Sequence, residues 1–238
     1  MLLNDEGKLS EAEPLLREAL EVSRRTLGDT HSNTITSVNN LGMLLQHRGN
    51  LSEAEPLYWE ALEGSRRILG DTHPYTLRGM NNLGMLLKAQ GKLKEAETHL
   101  REALEVSRRI LGDTHPNVLR SINNLASLLQ DQGKLSEAEL LYREAEEVSR
   151  ITLGDTHPLT LTSINNLGAF LYARRKWKEA GPLFVEALEV RRRTLGDTHP
   201  DTLLCIDNLA ILLTQSHSTG KPWKDTVAPW VTLILTPS

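Results

Sequence analysis

"LGDTHP" occupies residues 69–74, and the chain keeps returning to it: "LGDTHS" stands at 27–32, and "LGDTHP" again at 111–116, 153–158 and 195–200, always at the same interval. An aspartate, a threonine and a histidine side by side could serve an active site or a helix boundary. The fixed interval separates these readings. Copies in successive units of a regular chain form a row along one edge rather than a cluster, so His31, His73, His115, His157 and His199 share no ligand. Gly70 falls just past one helical run and Pro74 just before the next, the usual asymmetry of glycine beyond a helix end and proline at a helix start. Either Thr72 or His73 then takes the cap. Asp71 lies near a helix N-terminus, where a negative charge gains about 0.3–1 kcal/mol.

Aligned on that glycine, the chain reads as full units at 33–74, 75–116, 117–158 and 159–200, a half-unit at 1–32, a truncated unit at 201–216, and a degenerate last helix or tail at 217–238. The opening "MLLNDEGKLSEAEPLL" at 1–16 matches "MLLQHRGNLSEAEPLY" at 43–58 without a gap, so the chain should begin near the end of a first helix. Each unit holds two helical patterns. In "TLRGMNNLGMLLKAQG" (76–91), Leu77, Met80, Leu83, Gly84 and Leu87 follow the i, i+3, i+4, i+7 spacing of a buried helix face, and Gly91 stops the run. In "LSEAEPLYWEALEGSRRILG" (51–70), Ser52 and Glu55 predict a capping box, repeated as Ser10/Glu13 and Ser136/Glu139. Pro14, Pro56 and Pro182 sit close to the first turn. No strand pattern appears. Two helices per unit at one strict period predict an all-α solenoid in which each pair buries its open face against the next.

Composition narrows the function. With 238 residues, 39% hydrophobic but only 4% aromatic, the core must be aliphatic. A formal charge of −4 and a pI near 6.1 provide no global field for nucleic acid or an anionic membrane. The single cysteine, Cys205, beside Leu204 and Ile206, reads as packing and excludes a disulfide framework. No signal peptide or spanning segment is read at the N-terminus or elsewhere, so the expected location is the cytoplasm. There is no phosphate loop, nucleophile–base pair or metal-ligand spacing, so neither an enzyme nor a cofactor is expected. His47, His99 and His217 have no evident partner cluster. The paired arginines 24–25, 66–67, 108–109 and 192–193 are expected to be neutralised by preceding glutamates, Glu63 for Arg67 and Glu105 for Arg109.

These features resemble the tetratricopeptide repeat (TPR). Gly84, Ala96 and Ala103 stand where that family packs its two helices closely, Leu83 and Leu87 fill its large apolar positions, and Gly91 its inter-helix turn. The 42-residue unit, the "NNL" and the "LG…HP" linker resemble the repeats of kinesin light chain and of nephrocystin-like proteins. The resemblance implies a right-handed solenoid, and a non-enzymatic adaptor or scaffold whose first helices line a concave groove for an extended peptide. The alternative is a sensor or regulatory array within a larger multidomain protein. Kinesin light chain joins the kinesin heavy chain through a coiled coil that this sequence does not supply.

On the inward helix face the second full unit presents Arg78, Asn81, Met85 and Lys88. The matching positions are Thr36, Asn39, Met43 and Gln46; Arg120, Asn123, Ser127 and Gln130; Thr162, Asn165, Ala169 and Tyr172; and Leu204, Asp207, Ile211 and Thr214. The column Asn39, Asn81, Asn123, Asn165, Asp207 is unusual, because Asn is several tenths of a kcal/mol worse than Ala inside a helix. A row of side-chain amides can bond a peptide backbone. The adjacent column, Asn40, Asn82, Asn124, Asn166 and Asn208, reads as structural. Arg78, Lys88 and Arg120 favour an acidic partner, as the resemblance also implies.

Overall fold

The computed structural model describes residues 2–218, and among these every element is a helix. In chain order they are α1 (Leu2–Leu27), α2 (Ser32–His47), α3 (Leu51–Leu69), α4 (Pro74–Ala89), α5 (Leu93–Leu111), α6 (Pro116–Asp131), α7 (Leu135–Leu153), α8 (Pro158–Ala173), α9 (Trp177–Leu195) and α10 (Pro200–Ser218). The architecture is an all-α solenoid of helix-turn-helix repeats. First helices α2, α4, α6 and α8 each have 16 residues, and second helices α3, α5, α7 and α9 each have 19. None of the described helices is long and apolar enough to cross a membrane. The tail reading at 217–238 lies outside the described residues, save its first two, which complete α10.

Two compact units divide between Lys134 and Leu135. In the first, α1 to α6 pack each on the next, and α4 also touches α6; its core includes Tyr58, Leu62, Met80, Leu83, Leu87, Leu100 and Leu119, all sealed from solvent. In the second, α7 to α10 do the same around Phe170, Phe184 and Leu188. The close approach expected at Gly84 is present: a Cβ there would lie 2.6 Å from Leu100 Cγ, and one at Gly168 would lie 2.8 Å from the Phe184 ring.

The turns follow a half-period. Gly28, Gly49, Gly70, Gly91, Gly112, Gly133, Gly154 and Gly196 all have φ between 74° and 84°, and Arg175 takes the same left-handed turn at φ 60°. These positions are evenly spaced, half a repeat apart. In each "GDTH" turn it is the histidine, not the threonine, that caps the next helix. His73 Nδ1 accepts the backbone N–H of Tyr75 at 3.2 Å, and His31, His115, His157 and His199 do likewise two residues on, at 3.1–3.2 Å. The row of histidines is thus committed to caps, and no cluster of His, Cys, Asp or Glu suited to a metal occurs among the described residues.

Three local expectations are corrected. The capping boxes do not form: α3 begins at Leu51 with Asn50 as its cap and no side-chain cap bond, so Ser52 already lies inside the first turn. Glu55 bonds forward to Gln90 and Lys92 instead, because the longer reach to a neighbouring turn satisfies two donors at once. Glu13 and Glu139 are likewise committed to Arg17 and Arg48, and to Arg143 and Lys176. At the other end, the chain does not open on the end of a separate first helix: α1 runs unbroken from Leu2 to Leu27, helix propagation carrying it through Gly7. Finally, Arg67 and Arg109 do not pair with Glu63 and Glu105. It is Arg66 that pairs, with Asp71 at 3.1 Å and Glu102 at 2.6 Å, while Arg24 joins Asp29 and Glu60, and Arg150 joins Glu146, Asp155 and Glu186. The aspartate of each turn is therefore held by the arginine five positions before it.

Candidate functional site

The asparagine columns are where the repeats are joined. Asn82 Nδ2 donates to Asn39 Oδ1 at 2.9 Å, Asn124 to Asn81 at 3.1 Å, and Asn208 to Asn165 at 2.9 Å. Asn81 also donates to Leu77 O at 3.0 Å and to Ser121 Oγ at 2.9 Å, and Asn39 to the Met43 sulfur. Asn39 and Asn81 are only 4% and 7% exposed, Asn165 9%. Within each unit, the two columns that the sequence separated into inward and structural are thus the two sides of one set of hydrogen bonds between neighbouring repeats. Asn123 donates to Leu119 O and is half-buried; Asp207 is exposed.

The remaining candidates divide by whether a partner already holds them. Lys88 bonds Ser127 Oγ at 2.6 Å and lies 3.2 Å from Asp131, so its charge is compensated within the unit. Gln46 accepts the Tyr58 hydroxyl at 2.8 Å, and burial pushes that phenol up to about 12. Gln130 is half-buried on α6. Arg78 and Arg120, by contrast, are exposed and have no ion-pair partner among the described residues. Arg78 lies over the Tyr75 ring at 4.9 Å, a contact that orients the guanidinium without neutralising it.

Both arginines border a pocket of about 400 Å³ in the first unit, between α4 and α6. Tyr75, Asn81 and Asn82 line it from α4, and Asn117, Ser121 and Asn124 from α6. Met43 of α2 and Ser107 of α5 are also among its lining residues. No carboxylate is among its lining residues. That volume falls within the range of ordinary ligand pockets, about 300–1,000 Å³. One repeat earlier, the corresponding space is about 10 Å³, room for a single water. The difference is legible in side chains: Tyr75 fills the earlier space, whereas Asn117 stands at the same repeat position in the later one. The sequence reading named Arg78 and Arg120 but passed over Asn117 and Ser107. The signal for Asn117 was present as the small residue that follows "HP" where Tyr75 precedes it by one repeat.

Elsewhere, His99 meets the Trp59 ring edge-on at 5.2 Å, and burial pushes its pKa down. Cys205 is buried on α10, its thiol pushed up by burial, and its sulfur accepts from Arg191 at 3.1 Å.

The tetratricopeptide repeat family model matches residues 1–66, 35–105 and 79–151, and a second tetratricopeptide repeat model matches residues 160–201. No curated protein matches the sequence. Among solved structures, the chain is similar to BtubC (BKLC) from P. vanneervenii, with 22% identity, a TM-score of 0.72, and coverage of 97% of this chain and 94% of that one. It is also similar to the putative kinesin light chain nearly identical TPR-like repeats of Podosopora anserina, at 26% identity and a TM-score of 0.64, over 80% of this chain and 90% of that one. A variant form of those repeats matches at 25% identity and a TM-score of 0.66, again over 80% of this chain and 90% of that one. Helix pairs closed by small residues, glycine turns at a fixed interval and family matches along most of the sequence lead to one conclusion: the chain belongs to the tetratricopeptide repeat family, with repeats of the kinesin light chain-like type.

Proposed function

We propose that the protein is an adaptor that binds an extended acidic peptide along the first helices of its first unit, with no chemistry of its own. The observation that carries this reading is the α4/α6 pocket, bordered by two unpaired arginines and lacking any carboxylate. Unpaired cations around a concavity attract an acidic partner and reject a basic one. Arg78 and Arg120 make the charged contacts. Inter-repeat bonds at Asn39 and Asn81 in the first unit, and at Asn165 in the second, hold neighbouring first helices in register within each unit, and the amides of Asn39, Asn81 and Asn123 offer their remaining capacity to the peptide backbone, flanked by Gln46, Lys88 and Gln130; Asn165 and Asp207 stand at the matching positions of the second unit. The family's role as a protein-interaction scaffold is consistent with this arrangement.

Selection of random dodecapeptides on the full chain tests the reading. The enriched sequences should be acidic, and their binding should fall at least tenfold on Arg78→Glu with Arg120→Glu and weaken with salt. Enrichment without acidic bias, or equal binding to the charge-reversed chain, would sink it.

A further inference from the structure

Within the α4/α6 pocket, Ser107 is fully buried, yet its Oγ has no hydrogen-bond partner. Its counterpart one repeat on, Ser149, donates to the carbonyl of Glu146 at 3.0 Å. A buried hydroxyl left unpaired is destabilising, and this one lines the pocket that Asn117 leaves open. The Asn117 side chain likewise makes no hydrogen bond among the described residues. Three residues with donor side chains therefore line one cavity: Arg78, Arg120 and Ser107.

We infer that this pocket is the specificity site of the groove and takes a phosphorylated serine or threonine side chain of the bound peptide. The inference rests on the peptide-groove reading above and names what sits at its centre. Charge matching favours phosphate over carboxylate. The pocket brings two unpaired positive charges and no negative one, and a phosphomonoester carries about −1.5 to −2 near neutral pH where a carboxylate carries one. Geometry agrees: a phosphate has three terminal oxygens for three donor groups, and guanidinium groups match phosphate oxygens in a planar fork. A cavity of about 400 Å³ also exceeds what an aspartate or glutamate side chain fills.

The repeat itself supplies the controlled variant. Asn117→Tyr installs the residue that stands at the same position one repeat earlier, where the corresponding space is only about 10 Å³, so the pocket should close while the unit stays folded. The probes are three blocked pentapeptides, acetyl-Ala-Ala-X-Ala-Ala-amide with X as phosphoserine, glutamate or serine, titrated calorimetrically into the full chain. The phosphoserine peptide should bind at least tenfold tighter than the glutamate peptide, and the serine peptide more weakly than either. Asn117→Tyr and Arg120→Ala should each cost at least tenfold with melting curves unchanged; Ser107→Ala should cost about threefold. Glutamate equal to phosphoserine, or indifference to Asn117→Tyr, overturns the assignment. So does inorganic phosphate binding as tightly as the phosphopeptide, which would make this a free-anion site. If acidic library peptides bind but phosphoserine has no advantage, the groove stands and the phosphate pocket falls; if neither class binds, the groove reading falls with it.

Discussion

Arg175 stands at the position of the turn series that glycine holds elsewhere, at φ 60°. A side chain in that region costs about 1–2 kcal/mol, against an entropic penalty of about 0.5–1 kcal/mol for glycine. Arg175→Gly should therefore stabilise the second unit by about 0.5–1 kcal/mol, read as a higher melting temperature; a lower one would mean that the arginine makes a compensating contact. The histidine caps make the opposite prediction. His73→Ala leaves the Tyr75 N–H without its acceptor and should cost about 1 kcal/mol, while His73→Asn should recover most of it, because asparagine is a strong cap. Chemical denaturation of the three chains decides this; equal losses for Ala and Asn would show that the ring's packing against Tyr75, at 5.3 Å, matters more than its nitrogen.

At the scale of elements, the helices and their stops were readable from the sequence because their causes are local: apolar spacing, a glycine, a proline. What joins one helix pair to the next was not readable, because the partners lie about a whole repeat apart and nothing in a single repeat announces them. The asparagines show the difference. Periodicity marked both columns, but only the folded first helices reveal that Asn124 reaches Asn81 and that Asn81 in turn holds Ser121. Viewed as an inward amide free for a ligand, Asn81→Ala should leave stability unchanged or raise it. Viewed as a buried rung with three bonds, the same change strands the Asn124 amide and removes the donor to Ser121 Oγ, which keeps its own bond to the Asn117 carbonyl, and should cost about 1–2 kcal/mol after the small gain in helix propensity. Arg78→Ala on the same helix should leave the melting temperature nearly unchanged, as expected of an exposed side chain away from such features. Similar losses in both variants would refute the ladder.

The whole molecule carries a series of charged clasps, each tying the start of a second helix to the turn that follows the next first helix. Glu97 shows the energetics most clearly. Burial alone would raise its pKa, but hydrogen bonds from Lys134, Gln132 and Arg101 outweigh that and hold it at about 2, below the ordinary 4.5. Hydrogen bonds from Lys92 and Gln90 lower Glu55, and Lys176 and Arg143 lower Glu139. A carboxylate whose folded value is depressed contributes its stability above the ordinary value and loses it as pH falls toward the folded one. The array should therefore be steady near neutrality and weaken progressively from about pH 4.5 toward about pH 2. Glu97→Gln should be less stable at neutral pH and show a shallower decline across that window; thermal melts at half-unit pH steps would expose parallel declines if the clasp is unimportant. These clasps, like the Asn117 opening, escape a sequence reading because an i, i+3 spacing such as Ser52 and Glu55 offers a nearer and more familiar partner.

The alternation of turns at every half-repeat sets the sizes by which such a chain can be edited. A block of one whole repeat, cut or copied between two like turns, returns every clasp, ladder rung and cap to an equivalent neighbour, because each of these bonds reaches only one repeat away. A block of half that length would set a histidine-capped turn where a glutamate-held one belongs, or the reverse, and place two first helices or two second helices in succession. Genes encoding such arrays can thus vary in length by whole repeats while the junctions stay sound, and the smallest change that preserves the fold is a pair of helices.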